Sequence, residues 1–225
     1  MKMKSPILKV LAAAIPLSAA VIPFALAEPP KPPQIVNGSF EEPVIEGEAS
    51  FLTPSVPQDV ELERLKDAGW AFGFSTGICR ANEGYAERLS ASDGRQVAFL
   101  QGDQQMTPNP NEPWNIFGID MTGLEPGQEY EVSWDQAGRA TDIGASALRV
   151  TVGLPASSGQ PAIPLVDREP VTLKGGWETV SRRFTATGAV MRLNFTHFIA
   201  EPGNPHEGSE STLIDNVKIK KATKP

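Results

Sequence analysis

The stretch that most constrains the fold lies near the C-terminus: Ser211-Thr212-Leu213-Ile214-Asp215-Asn216-Val217-Lys218-Ile219. Its two-residue alternation is the mark of a half-buried β-strand. Leu213, Val217 and Ile219 share one phase and are expected to face a core, and Asp215 falls on that same phase. An inward carboxylate is costly unless it is paired, hydrogen-bonded or bound to a metal. Some other part of the chain must therefore meet Asp215. The candidate is Asn37-Gly38-Ser39-Phe40-Glu41, so that the fold closes its first strand beside its last around an oxygen-rich site.

The first 27 of the 225 residues read as a secretory signal. Lys2, Lys4 and Lys9 form a basic start, Val10 to Phe24 an apolar run, and Ala25-Leu26-Ala27 a small-residue cleavage site. Pro16 and Pro23 interrupt the run, which favours cleavage over a retained anchor. No later stretch is long and apolar enough to span a bilayer. The expectation is a secreted, periplasmic or cell-envelope protein with no membrane insertion after cleavage. Removing those three Lys from the 20 Lys and Arg leaves 17 against 27 Asp and Glu, a net charge of −10. Such a surface argues against nucleic acid as a partner. The single cysteine, Cys79, excludes an intrachain disulfide and reads as a small buried apolar residue. A cysteine-poor exported chain fits a bacterial envelope.

Residues 28–33 (EPPKPP) form a stiff spacer. Beyond it, residues 34–220 read as one domain and 221–225 as a tail. Gly and Pro together number 41, from 20 and 21, and separate short apolar segments. Alternation marks strands at Val36 to Phe40, Trp70 to Phe74, Arg95 to Gln101, Ile116 to Met121, Glu129 to Gln136 and Leu148 to Val152. Val171 and Leu173 lead through Gly175-Gly176 to Trp177, a hairpin signal. Val180 with Phe184, then Met191, Leu193 and Phe195, give two more, and the Asp215 strand closes the domain. The one helical candidate is Asp59 to Lys66, capped by Asp59. Many short strands with turn-rich spacing point to an all-β, antiparallel two-sheet jelly-roll sandwich.

The ordered motifs are NGSFEEP (37–43), GWAF (69–72), STGICRANEG (75–84), DGRQVAFLQ (93–101), GLEPGQEYEVSW (123–134), LRVTV (148–152), GGWETVSRRFTATG (175–188), LNF (193–195) and TLIDNVKI (212–219), with Arg139 between the fifth and sixth. Together they resemble the galactose-binding-like β-sandwich, and in particular the DUF642-type domains of bacterial exported proteins and plant cell-wall proteins. The segment Pro43 to Ala68 is longer than that pattern expects. The resemblance implies a sandwich, a structural Ca²⁺ between the terminal strands, and carbohydrate binding.

Ca²⁺ takes six to eight oxygens from carboxylates and carbonyls. Glu41 and Asp215 would supply side chains, with Asn37 or Ser39 and the Asp93-Gly94 turn adding oxygens. The other reading is that Asp215 caps backbone amides and Glu41 is solvated. A sugar ring needs an aromatic face and planar polar groups. Trp70, Trp134 and Trp177 read as core. Trp114, in a polar loop, is the candidate platform, or else a lid packed on the sandwich. If every connection reverses direction, loops 102–113, 139–146, 174–176 and 199–211 gather at one end, with Trp114, Arg139, Asp142 and His206. Arg139 offers a planar fork for hydroxyls or a carboxylate, or else a salt bridge fixing its loop. Tyr85 and Glu83 sit on a separate loop that could join them. His197 continues the Met191-Leu193-Phe195 phase and reads as a core-edge histidine.

No H-E-x-x-H or P-loop pattern is present, and the one G-x-S-x-G string, Gly73 to Gly77, lies between expected strands and opens no helix, as a nucleophile elbow must. The expectation is an exported, non-catalytic protein that binds extracellular or envelope polysaccharide at the loop end of Trp114, Arg139, His206 and Tyr85. The alternatives are a structural or protein-interaction module docked on an envelope protein, and a small polysaccharide hydrolase or lyase.

Overall fold

The alternating segments pair into two antiparallel sheets packed face to face, a jelly-roll sandwich. This computed structural model describes residues 31–54, 65–73, 75–101, 116–139, 146–155, 161–171, 175–199 and 211–223. Its strands are β1 (Phe51–Leu52), β2 (Ala71–Phe72), β3 (Thr76–Arg80), β4 (Gln96–Gln101), β5 (Ile116–Met121), β6 (Glu129–Gly138), β7 (Ser146–Gly153), β8 (Ile163–Val171), β9 (Glu178–Thr185), β10 (Met191–Ile199) and β11 (Ser211–Lys221). One sheet runs β1-β3-β4-β11-β6-β9, the other β2-β5-β10-β7-β8.

The expected phases of β5, β6, β7 and β10 all point into the sandwich. Phe117, Ile119, Tyr130, Val132, Trp134, Leu148, Val150, Leu193 and Phe195 are buried in one cluster. Phe117 stacks on Phe195 at 5.2 Å, Trp134 meets Phe195 edge-on at 5.6 Å, and Trp70 meets Phe117 at 5.4 Å. Burying each such ring contributes about 1.5–3 kcal/mol, so these contacts anchor the two sheets to each other.

In β11 the single expected phase is broken. Asp215 pairs with Asp135 and Lys218 with Ser133, so three steps along β11 match two along β6. The extra residue is Asn216, held at φ 53°. Ile214 and Val217 face the main core, while Leu213 faces a second apolar cluster with Cys79, Ala86, Leu89, Val97, Phe99 and Ala137. A bulge inserts a residue and shifts the phase, so Leu213 and Asp215 lie on the opposite face from Val217 and Ile219. The expected common phase is corrected to that extent. Asp215 is nonetheless fully buried, because residues 81–92, including a 3-10 turn at Gly84–Ala86, cover that outer face.

Other expectations change as well. Val36 to Phe40 is a tight turn, not a strand. The Phe40 amide donates to the Asn37 carbonyl at 3.1 Å, and Asn37 and Phe40 take φ 52° and 56°. The Gly175-Gly176 signal does not join a hairpin: β8 pairs with β7 and β9 with β6, so the connection crosses between sheets. Trp177 is half-buried against the second cluster, not core, and its Nε1 donates to the Ser90 carbonyl at 2.7 Å. Strands β1 and β3 carry too little alternation to be read in advance. Of the expected helix only Leu65 and Lys66 are described, and both are helical.

The segment Asn37 to Glu41 lies beside β11 as expected, but at Val217 and not at Asp215, whose carboxylate is met by the Ser92 and Asp93 amides. The Val217 amide donates to the Gly38 carbonyl at 2.8 Å. A Cβ on Gly38 would collide with the Val217 carbonyl oxygen, so only glycine lets the turn approach. Gly38→Ala is expected to destabilise the fold by about 1–3 kcal/mol, the usual cost of overpacking, read as a lower denaturation midpoint. An unchanged midpoint would show that this approach is not required.

Candidate functional site

The seam around Asp215 comes first, because it fixes the covering segment. Asp215 Oδ2 accepts from the Ser92 and Asp93 amides at 2.8 and 2.9 Å, and its Oδ1 from the Asn216 amide at 2.7 Å. Opposite it, Asp135 accepts from the Ser92 hydroxyl, from Thr179 Oγ1 at 2.5 Å and from Asn216 Nδ2 at 2.9 Å. Glu41 Oε1 accepts from the Arg95 and Gln96 amides, both at 2.8 Å. Gln96 in turn donates to the Phe40 carbonyl at 2.7 Å and accepts from the Ile45 amide at 2.6 Å. Two carboxylates thus grip the two ends of the segment 92–96.

Burial pushes the Asp215 carboxyl up to about 7, against the pull of the three N–H donors, with the Asp93 charge adding to the rise. For Asp135 burial also works upward, but the hydrogen bonds from Ser92, Thr179 and Asn216 outweigh it and hold the carboxyl below its usual range.

Of the expected calcium ligands, Glu41, Asp93 and Asp215 all border this segment. Asn37 does not: its side chain donates to the Glu42 and Ala68 carbonyls, at 2.5 and 3.0 Å. The Asp93 side chain is exposed. Among the described residues no group of three or more His, Cys, Asp and Glu side chains is gathered for a metal.

Of the residues expected at the sugar-binding end, Trp114, Asp142 and His206 lie outside the described residues. Tyr85 and Arg139 do meet: the guanidinium sits 5.7 Å from the ring centre. Tyr85 is stacked on Phe99 at 4.0 Å, which occupies one ring face. Burial pushes its phenol up, with Arg139 opposing. Arg139 Nη2 reaches the Gly84 carbonyl at 3.4 Å. This pair pins the covering segment to the end of β6.

The register brings together the strand ends that border the other expected loops. Ser211 pairs with Gln101, Thr212 with Gly138, Ser146 with both Ile199 and Val171, and Ile116 with Thr196. His197 Nδ1 lies 3.2 Å from Thr212 Oγ1 and ties the two sheets at this end. As expected it is buried, which pushes it down to about 4. Cys79 is buried as expected too, its thiol pushed up to about 12 by desolvation.

The outward face of the five-stranded sheet is different. Arg192, Asn194 and Phe198 alternate with the buried Leu193, Phe195 and His197 along β10. Asn194 pairs with Thr151 on one side and Gly118 on the other. A Cβ on Gly118 would strike the Asn194 side chain, which lies over β5. Arg149 Nε donates to Asp167 at 2.8 Å, and Arg192 to Asp120 at 3.3 Å. The guanidiniums of Arg149 and Arg168 lie 4.8 and 4.7 Å from the centre of the Phe198 ring. These are planar donors, an amide, a hydroxyl and an aromatic ring on one partly exposed sheet face. None was singled out in advance, although the polar phase of residues 192–198, with an aromatic at its end, was there to be read.

One sheet face covered and the other lined by polar and aromatic groups define a ligand-binding β-sandwich. Residues 91–216, more than half of the chain, match the family described as carbohydrate binding domain, and the chain belongs to that family. It is similar to the CBM22-1 xylan-binding domain of Paenibacillus barcinonensis Xyn10C, at 17% identity over 70% of this chain and 88% of that one, TM-score 0.47. It is also similar to TmCBM61, solved with β-1,4-galactotriose, at 12% identity over 68% and 88%, TM-score 0.43. A CBM4 domain matches at 16% identity over 84% and 100%, TM-score 0.44. No curated protein matches the sequence.

Because the folded state holds the Asp215 proton up to about 7 and an unfolded chain releases it near 3.9, the stability this group confers is complete below the unfolded value. It is lost as pH rises through the folded one. The melting temperature of the wild type, relative to Asp215→Asn, is therefore expected to fall between about pH 4 and about pH 7.5. A difference constant with pH would contradict this.

Proposed function

We propose that this chain is an exported, non-catalytic carbohydrate-binding protein, and that a polysaccharide of the extracellular space or cell envelope lies across the outward face of the five-stranded sheet. The observation that carries the site is the contrast between the two faces: residues 81–92 cover the six-stranded sheet, while Arg149, Thr151, Asn194 and Phe198 stay partly exposed on the other. The ion pairs there are solvent-exposed, worth about 0–1 kcal/mol each, so sugar hydroxyls can take over their donors at little cost. Asp135 and Asp215, the carboxylates that face each other across β6 and β11, are buried and each held by three hydrogen bonds, which supports a role without catalysis. The motif order supports placement among DUF642-type exported domains.

Calcium belongs to the same proposal. Glu41 and Asp215 would hold it, beside the segment 92–96 that both already grip: Asp215 Oδ2 and Glu41 Oε1 each accept two amides, so the ion would be met by Asp215 Oδ1 and Glu41 Oε2. The ion would fasten that segment. A ligand bound only by the folded state raises its stability, so Ca²⁺ is expected to raise the melting temperature over that in EDTA. Equal values would remove calcium from the account.

Xylan and β-1,4-galactan, named for similar modules, are the first polymers to test. Phe198→Ala is expected to weaken binding about tenfold, roughly 1.4 kcal/mol, with little change in melting temperature. Arg139→Ala is expected to leave affinity unchanged. The reverse result, read by affinity electrophoresis, would move the site to the Tyr85 side.

A further inference from the structure

Strand β8 carries a feature that packing does not require. Leu148 pairs with Glu169 and Val150 with Val166, so three steps along β8 match two along β7. The extra residue sits at Asp167-Arg168, opposite Arg149, and Arg168 is held at φ 56°. A side chain with a Cβ rarely adopts that conformation, and such strain clusters at functional positions. The consequence of the bulge is specific. Val166 stays in the core, and Glu169 reaches Arg182 at 2.8 Å. Between them, two consecutive charged side chains are turned to the same outward face. Asp167 takes Arg149, and Arg168 takes Phe198.

Arg168 has no carboxylate partner among the described residues. It is exposed, and its neighbour Arg149 spends only Nε on Asp167. A guanidinium resting on an aromatic ring is held in place by the ring's quadrupole, while its N–H fork stays free to bind. Two such forks beside one ring form a pre-oriented receiver for planar anions. The chain around them is acidic, with 27 Asp and Glu against 20 Lys and Arg, so two arginines on one ring, of which only Arg149 is paired with a carboxylate among the described residues, are locally distinct.

We propose that the sheet-face site selects polysaccharides that carry carboxylates, with Arg168 as the specificity-determining residue and Arg149 as its partner. This rests on the sheet-face reading of carbohydrate binding and names the ligand class for it. A sugar carboxylate would accept a two-pronged, charge-assisted hydrogen bond from Arg168. The Phe198 ring keeps that guanidinium in register with the polar row of Thr151 and Asn194.

The test uses the full chain and polymer pairs that share a backbone and differ in charge: glucuronoxylan against its carboxyl-reduced form, and carboxymethyl cellulose against hydroxyethyl cellulose. At low salt the charged member of at least one pair is expected to bind roughly tenfold more tightly. The gap should close in about 0.5 M salt, where exposed charges are screened. Arg168→Gln is expected to abolish the gap while keeping the weaker, neutral binding, and Arg168→Lys to keep part of it. Equal binding within both pairs, or a gap that survives Arg168→Gln, would overturn the selectivity while leaving the carbohydrate site standing. If charged and neutral polymers, xylan and galactan included, all fail to bind the folded chain, both readings fall.

Discussion

The carboxylate of Asp215, accepting from the amides of Ser92, Asp93 and Asn216, is the contact on which the rest of the architecture depends. It lies in the central part of the six-stranded sheet, where β11 runs between β4 and β6. A bulge at Asn216 lets one strand serve two clusters, sending Ile214 and Val217 into the sandwich and Leu213 to its outer side. The buried carboxylate then draws the chain at Ser92 and Asp93 down onto that outer side. Glu41 grips the same segment from its other end through the Arg95 and Gln96 amides. A carboxyl with several lone pairs suits this task, since it accepts three amides at once, and leaving a buried donor unsatisfied costs about 1–3 kcal/mol.

From this follows the asymmetry of the two faces. Once residues 81–92 are fastened, Tyr85 lies flat on Phe99 and Trp177 hangs from the Ser90 carbonyl. The six-stranded sheet has spent its aromatic groups on packing. The five-stranded sheet has not: its outward groups are two arginine–aspartate pairs, an asparagine laid over Gly118, and Phe198 flanked by two guanidiniums. Exposed ion pairs are weak, so this face can exchange its internal contacts for contacts to a ligand. The family to which the chain belongs is one of carbohydrate binding domains, and the open face is where planar donors and an aromatic ring occur together.

Much of this could be read from residue order, and the failures have physical causes. Alternation located β4 to β7 and β9 to β11 because each carries large apolar side chains at alternate positions. It missed β1 and β3, which are short or buried on both sides, and no period-two signal survives there. It misjudged β11 because a bulge is a one-residue slip, and Asn216 at φ 53° leaves no mark in hydrophobic pattern. The Asn37 to Phe40 segment looked like a strand because Val36 and Phe40 are apolar, whereas left-handed residues at 37 and 40 fold it into a turn. The demand that something meet Asp215 was sound: the amides of residues 92 and 93 meet it, whereas the segment 37–41 expected there lies against Val217, and Glu41 caps two amides of its own. The sheet face went unnoticed because the search for a sugar platform followed tryptophans. The aromatic on the open face is Phe198, and a bulge on a different strand sets Arg168 beside it.

The most direct measurement is backbone amide chemical-shift mapping of the chain with a bound oligosaccharide. The account requires the perturbed amides to cluster on β7, β8 and β10, around Arg149 to Thr151, Asp167 to Arg168 and Arg192 to Phe198, with residues 80–99 quiet. Perturbations confined to Arg80 to Phe99 and Arg139 would place the ligand on the covered sheet and contradict it.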